Sequence, residues 1–449
     1  MSVERTDKPT IYLPVEIKAR EFKAKVLLAV VAAQQGFRIY LGSKAAIDRL
    51  VREKTKPNGI YFYKGGKPEK FLLWLKQRTE YFVVLDEEMG PAVQDLDYHY
   101  KRRIYPGTEG YVDRLFVVSD LHREVIAKIR PPLSGRVEVT GWPRVDLWRP
   151  DFKASYESEV CALQARFGEF LLFSSDFGML SEQAISHELA RMREMQFSPE
   201  EYDHHKCSMH AAYADFLTFV ELVKRIDADP EFPQLIIRPH PSEDISHWQQ
   251  QLAGLQRVKI IFEGEISPWL YASRGLLHRG CTTAVQAYVG GTPVLYWVGS
   301  QSRVKHDTLS YQVSRAVGDY SALKHACNDI VNGQYQAPAS IDLQSKLYID
   351  DQQLACDKIV ASLQRIAATV EPPFRLPPWR YKLRQAWGWL AEYRVTRNWG
   401  RDQQKLARVR RKMAGGIHQA EVAEVAARLV PDFSGTIIEC DYNVVEVEA

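Results

Sequence analysis

The chain reads as an α/β protein with two Rossmann-like, doubly wound units in tandem and a basic helical extension behind them. Three observations predict this. Short apolar runs alternate with amphipathic stretches twice over, once across residues 10–150 and again from about 170 to 365. At 449 residues the chain is too long for one ordinary core. Its 45% hydrophobic and 26% charged content belongs to a folded protein rather than a disordered one. The expected divisions are 1–150, 151–370 and 371–449.

In the first unit, Thr10–Leu13 predicts a strand, and Glu21–Gln35 carries apolar residues at helical spacing before a stop at Gly36. Phe37–Leu41, Tyr81–Leu85 and Leu115–Val118 are further strands, and Arg136–Thr140 closes the series. Gly141–Pro150 is rich in turn residues and marks the boundary. The second series opens with Phe170–Phe173 and continues through a helix from about Ala211 to Ile226. Strands follow at Leu235, Val258–Phe262, Gly275–His278 and Pro293–Trp297. Strand–helix alternation of this kind predicts parallel sheets, with ligands bound at their carboxyl edges in a cleft between the units.

Composition excludes some functions. A formal net charge of +3 gives no argument for nucleic acid. Cys161, Cys207, Cys281, Cys327, Cys356 and Cys440 are widely spaced, as expected of reduced thiols in a cytoplasmic protein. The charged start runs straight into a strand, so no signal peptide is expected, and no window reaches 18 uninterrupted apolar residues.

Four stretches carry candidate chemistry. In Leu235–Asp244 a buried strand ends in Arg238-Pro239-His240-Pro241, where two prolines forbid further pairing and hold His240 at the strand end. The alternative is a loop histidine without a task. In His278–Tyr288, Gly280, Cys281, Thr282 and Thr283 lead into a helix whose start suits an anion, although plain N-capping needs no ligand. Ser174-Ser175-Asp176 ends the first strand of the second unit; Asp176 fits a nucleophile, a base or a ribose ligand, and equally a turn aspartate. Asp86-Glu87-Glu88 follows Tyr81–Leu85, where mutual repulsion raises a carboxyl toward a useful base, unless the loop is simply solvated. Glu16, Lys18, Arg20 and Glu21 follow the first strand, and Lys18 or Arg20 suits a substrate carboxylate as well as it suits the surface.

Other patterns carry less. Asp95-Leu96-Asp97 and Asp227-Ala228-Asp229 are chance acidic tripeptides, and His204–His210 lacks a second ligand pair, which predicts a polar loop and no metal. Residues 375–412 combine Trp379, Trp387, Trp389 and Trp399 with many basic side chains and only Glu392 and Asp402 as acids. That composition suits peripheral contact with the cytoplasmic face of an anionic inner membrane, or a helix packing its Trp face on the protein.

Arg238-Pro239-His240-Pro241 resembles the His-Pro motif of bacterial GT-B glycosyltransferases that use CMP-activated sugars, and Asp86–Gly90 is similar to their acidic motif. Within 10–365 the chain resembles the surface-carbohydrate branch that includes the retaining β-Kdo transferases of capsule and O-antigen (lipopolysaccharide) assembly. Gly141–Asp146 looks like its interdomain segment, and His278-Arg279-Gly280-Cys281-Thr282-Thr283-Ala284 matches its most specific block. Met89, between the acids and Gly90, and Ser174-Ser175-Asp176 depart from the pattern.

The resemblance implies a GT-B fold, CMP-β-Kdo as donor substrate, no cofactor or obligatory metal, and an oligosaccharide or lipid-linked glycan acceptor. By carry-over, His240, Arg238, Ser174, Ser175, His278, Gly280, Cys281, Thr282 and Thr283 would hold the donor, and Arg20, Lys18 and Glu21 the substrate. Asp176 would be the nucleophile, with Glu87 or Glu88 as acid/base. Competing expectations are an inverting CMP-sugar or CDP-glycerol-type transferase, a UDP-sugar 2-epimerase-like enzyme, and a non-catalytic membrane assembly factor.

Overall fold

The computed structural model describes residues 8–54, 56–65, 69–87, 96–104, 106–107, 109–194, 198–240, 243–299, 307–338, 341–350, 352–366, 370–371, 376–399, 412–413 and 415–449. Two compact units are present, one built from Met1–Ser155 with Asp342–Ala449, the other from Tyr156–Ile341. The expected pair of parallel α/β units is therefore found, but not with the expected boundaries. The chain returns to its first unit at residue 342, so the divisions at 370 and 371 have no counterpart.

The first unit contains β1 (Lys8–Val15), β2 (Arg38–Ser43), β3 (Ile60–Tyr63), β4 (Tyr81–Leu85), β5 (Arg114–Val117) and β6 (Val137–Val139), all parallel, in the order β2-β1-β3-β4-β5-β6. Ile60–Tyr63 is a strand that the periodicity passes over: its four residues are buried on both faces and do not alternate. The helix Lys18–Gln34 is buried nearly all round, because the helices Ala355–Gln364 and Gln419–Leu429 cover it. It ends as expected at Gly36, whose φ of 92° lets the Phe37 and Gly36 N–H groups donate to the Ala32 and Ala33 carbonyls.

The second unit contains β7 (Phe170–Ser174), β8 (Gln234–Arg238), β9 (Val258–Ile260), β10 (Gly275–His278), β11 (Val294–Trp297) and β12 (Arg315–Val317). They form a parallel sheet in the order β9-β8-β7-β10-β11-β12. The polar segment around His204–His210 is helix rather than loop. It belongs to Pro199–Ala228, opened by a capping box between Ser198 and Glu201.

The final stretch is not purely helical. After β13 (Val370–Glu371), antiparallel to β1, and the helix Pro378–Trp399, the chain makes a hairpin of β14 (Thr436–Asp441) and β15 (Val444–Glu448). β15 pairs antiparallel with β2 and extends the first sheet. Val444, Val445 and Val447 are buried there.

Candidate functional site

Strand order locates the ligand edge of each unit. In the second, β7 is followed by β8 on one side and, after β9, the chain crosses to β10 on the other, so the topological switch lies between β7 and β10. The residues just past those two strands are Ser175-Asp176 and Arg279-Gly280-Cys281. Gly280 has φ 147°, and a Cβ added to it would sit 3.4 Å from Asp176 Oδ2, so the backbone passes close beside the carboxylate. Ser174 Oγ lies 3.5 Å from Thr283 Oγ1 across the same gap. Burial, followed by the Asp176 charge, pushes the Cys281 thiol up to about 11, so it remains a thiol.

Several residues expected to touch the donor lie behind this edge. Arg238, Ser174 and His278 share one register layer as the last residues of β8, β7 and β10. Their side chains project from the faces of the sheet, not from its end. Arg238 donates to the Glu263 and Gly264 carbonyls at 2.6 and 3.0 Å and stacks 4.8 Å from the Trp269 ring. Burial lowers its pKa to about 10, which leaves it charged. His278 is fully buried; its Nδ1 accepts from the Gly280 N–H at 3.0 Å, so Nε2 carries the proton and donates to Ser314 Oγ at 2.8 Å. Ser314 Oγ donates to the Ser310 carbonyl, and Ser310 Oγ donates back to the Gly280 carbonyl, 2.6 and 3.2 Å. This closed ring fixes the Gly280 peptide from both sides. Burial lowers the His278 pKa to about 3, so the ring stays neutral. Arg238 and His278 are positioning residues.

A second clamp was not anticipated. Buried Glu243 accepts from Ser175 Oγ (2.8 Å) and the Gly178 N–H (3.1 Å) on one oxygen. Its other oxygen takes Trp248 Nε1 (2.9 Å) and the His240 N–H (3.3 Å). One carboxylate thus ties the loop after β7 to the loop after β8, and Ser175 serves that tie. His240 itself is exposed at the edge, with its backbone held. Pro241 and Ser242 lie outside the described residues. The helix start at Thr282–Thr283 is a tight turn in which the Ala284 and Val285 N–H groups already donate to Cys281 and Thr282. What it offers a ligand is therefore hydroxyls more than those two amides.

In the first unit the switch falls between β1 and β3. A concavity opens there, lined at the strand ends by Glu16, Glu21, Lys25, Lys64 and Glu87. Lys64 Nζ lies 2.8 Å from Glu21 Oε1, and Glu21 accepts the Glu16 N–H at 2.9 Å. Burial alone would raise the Glu21 carboxyl, but Lys64 outweighs it and the pKa is lowered. Glu87 is buried, accepts the Arg144 N–H at 3.0 Å and stands 3.9 Å from Lys25 Nζ. The acidic motif and the Gly141–Asp146 segment therefore meet.

The expected crowding of acids is relieved. Asp86 takes both guanidinium arms of Arg103 at 2.7 and 2.9 Å, and Glu88 lies outside the described residues. Lys18 turns away to Glu421 at 2.6 Å, leaving the substrate role to other groups. Arg20 Nη2 stands 3.9 Å from Glu21 Oε1. Lys25 and Lys64 were missed because each lies in a run that reads as ordinary helix or turn, and Glu243, although within Leu235–Asp244, because no local pattern marks it as a clamp. Only three-dimensional pairing distinguishes them.

Asp146, at the end of the motif segment, is structural. It accepts the Ala355 and Cys356 N–H groups at 3.1 and 3.3 Å and so caps the helix Ala355–Gln364. Gly141 (φ 74°) is needed because a Cβ would meet the Tyr348 carbonyl at 3.0 Å.

No family model matches the chain, and no curated protein does. Among solved structures it is similar to the UDP-GlcNAc 2-epimerase of Methanocaldococcus jannaschii in complex with UDP-GlcNAc and UDP. Identity is 12%, over 80% of this chain and 99% of that one, with a TM-score of 0.48. It is also similar to the wall teichoic acid polymerase TagF at 10% identity, over 80% and 88%, with a TM-score of 0.47. A third likeness is to UDP-GlcNAc 2-epimerase from Neisseria meningitidis bound to UDP-GlcNAc, at 14%, over 79% and 99%, with a TM-score of 0.44.

Proposed function

We propose that the chain is a glycosyltransferase that takes a sugar from a nucleotide sugar, with CMP-Kdo as donor, and passes it with retention to a glycan acceptor of surface polysaccharide. The observation that carries the reading is the placement of Asp176 beside Gly280 at the β7/β10 switch, within the block of closest motif resemblance. A nucleophile and a phosphate-binding turn are needed within one sugar's reach of each other, and this edge supplies both kinds of group.

Kdo carries its carboxylate on the anomeric carbon and has no hydroxyl on C3, so loss of CMP leaves an oxocarbenium-like centre. In this reading His240, Thr282 and Thr283 donate to the departing phosphate. The Asp176 carboxylate attacks the anomeric carbon as the bond to CMP breaks, giving a glycosyl ester. The acceptor hydroxyl then attacks the anomeric carbon, Asp176 leaves as the carboxylate, and the hydroxyl proton passes to an acid/base group, the role that the acidic-motif resemblance gives to Glu87 or Glu88. Arg238, Ser175, His278 and Glu243 hold the loops.

Melting curves with CMP, CDP, UMP and UDP test the nucleotide, since only a ligand of the folded state raises Tm. A shift with CMP alone is expected; a shift with UDP or CDP in its place would overturn the donor assignment. Asp176→Asn should abolish transfer while the CMP shift survives. Normal turnover by that variant would remove Asp176 from the chemistry, and anomeric NMR of the product decides between retention and inversion.

A further inference from the structure

We propose that the helix Pro378–Trp399 is a membrane-surface element, lying in the headgroup layer of an anionic bilayer and holding the protein on that surface without crossing it. The two faces of the helix are in different states. Tyr381, Arg384 and Gly388 form an inner stripe: Tyr381 donates to Glu439 at 2.6 Å, Arg384 pairs with Asp441 and Glu53, and Gly388 lies so close to the Tyr442 ring that no Cβ would fit. This stripe seats the helix on the β14–β15 hairpin. Trp379, Leu383, Trp387 and Leu390 are exposed by 63, 49, 57 and 38%. At roughly 100° per residue these four fall within an arc of about 80°, centred about 130° round the helix from the inner stripe.

The side chains of Trp379 and Trp387 are thus not packed on the described part of the protein. The described polar contacts that fix the helix are made on the inner side, and the four apolar side chains stand exposed away from it. Over about 17 Å of helix the outer stripe is a continuous apolar ridge. Basic residues select the occupant. Arg380 and Lys382 flank the ridge at the helical positions from which long side chains reach a headgroup layer. Residues 375–412 carry twelve Lys or Arg against Glu392 and Asp402. Such a field repels a second copy of itself and attracts a negatively charged surface. Trp at two ridge positions matches the interfacial preference of indole. Among the described residues no helix is long and apolar enough to cross a membrane. The inference stands apart from the sugar chemistry, since no residue of either ligand edge takes part in it.

The full chain is sedimented with phosphatidylcholine vesicles that contain or lack phosphatidylglycerol. Binding to the anionic vesicles alone, weakened by added salt, is expected. Trp379→Glu/Leu383→Glu/Trp387→Glu should reduce that binding by at least about tenfold, and Arg380→Glu/Lys382→Glu should abolish the preference for anionic lipid. Melting temperature checks that each variant is folded, and Trp387→Ser, at an exposed position, serves as a milder second test. Wild-type protein that stays in the supernatant with both vesicles would overturn the proposal. So would a triple variant that sediments like wild type, or a ridge found instead to drive concentration-dependent dimers. CMP-induced stabilisation, measured alongside, should be the same in all variants, which separates this result from the fate of the transferase reading.

Discussion

Two buried titratable residues respond to pH in opposite senses. Burial raises the Asp146 carboxyl to about 7 from an ordinary 3.8, with its two backbone donors and Arg149 only partly opposing. As pH rises from 4 toward 7, the unfolded chain gives up this proton before the folded one does. Stability present below pH 4 is therefore lost across that window, by at most about 4 kcal/mol. Urea melts of Asp146→Asn should lack this pH slope, although the amide can accept only one of the two helix N–H groups. His278, held neutral with a pKa near 3 against 6.5, works the other way: its contribution is intact above 6.5 and is lost as pH falls below it. For exposed His240 the proposed role is at the donor phosphate, and His240→Ala should lower kcat/KM for the donor by roughly 10²–10³, read in steady-state assays. At this scale the sequence was legible for the position of residues just beyond strand ends, such as Asp176 after β7 and His240 after β8. It misled for Arg238 and His278 because a strand's last residue still projects from a face of the sheet, whereas the next residue lies past its edge. One position of register carries that difference.

The loops after β7 and β8 act as one element because of Glu243. Replacing it with Ala would leave the Trp248 indole N–H and the Ser175 hydroxyl without their acceptor in a buried site, at a cost of about 3 kcal/mol. Thermal unfolding of Glu243→Ala should show that loss, and the CMP-induced shift should fall with it; Glu243→Gln, retaining one acceptor oxygen, should lose less. Strongly periodic elements were legible: β4 and β10 fall on the residues expected, and the long helix stops at Gly36. β3 and β12 were not. The first is apolar or aromatic at every position and the second is three residues long, so neither alternates in a way that separates strand from loop. The start of Pro199–Ala228 was hidden because its first turns are polar and solvated, and only the Ser198–Glu201 capping pair signals it.

For the whole chain, the least legible fact is the return of residues 342–449 to the first unit. The hairpin's pairing with β2 joins residues some four hundred positions apart, as do the Arg38–Glu448 and Lys8–Glu448 ion pairs. No local pattern encodes such a partner, although alternating Thr436–Glu448 could have been read as a hairpin around Tyr442-Asn443. A chain ended after residue 430 would bare the β2 edge and lose the buried Val444, Val445 and Val447. At about 1.5–3 kcal/mol for each side chain, that truncation should melt well below the intact chain and aggregate on heating, seen by calorimetry and light scattering. The same pairing bears on synthesis. Residues 156–341 can fold as soon as they leave the ribosome, but the sheet begun at residue 8 keeps an open edge until residue 448 has been made. The first unit started is thus the last one finished, and the β2 edge is the surface a chaperone would have to guard in the interval.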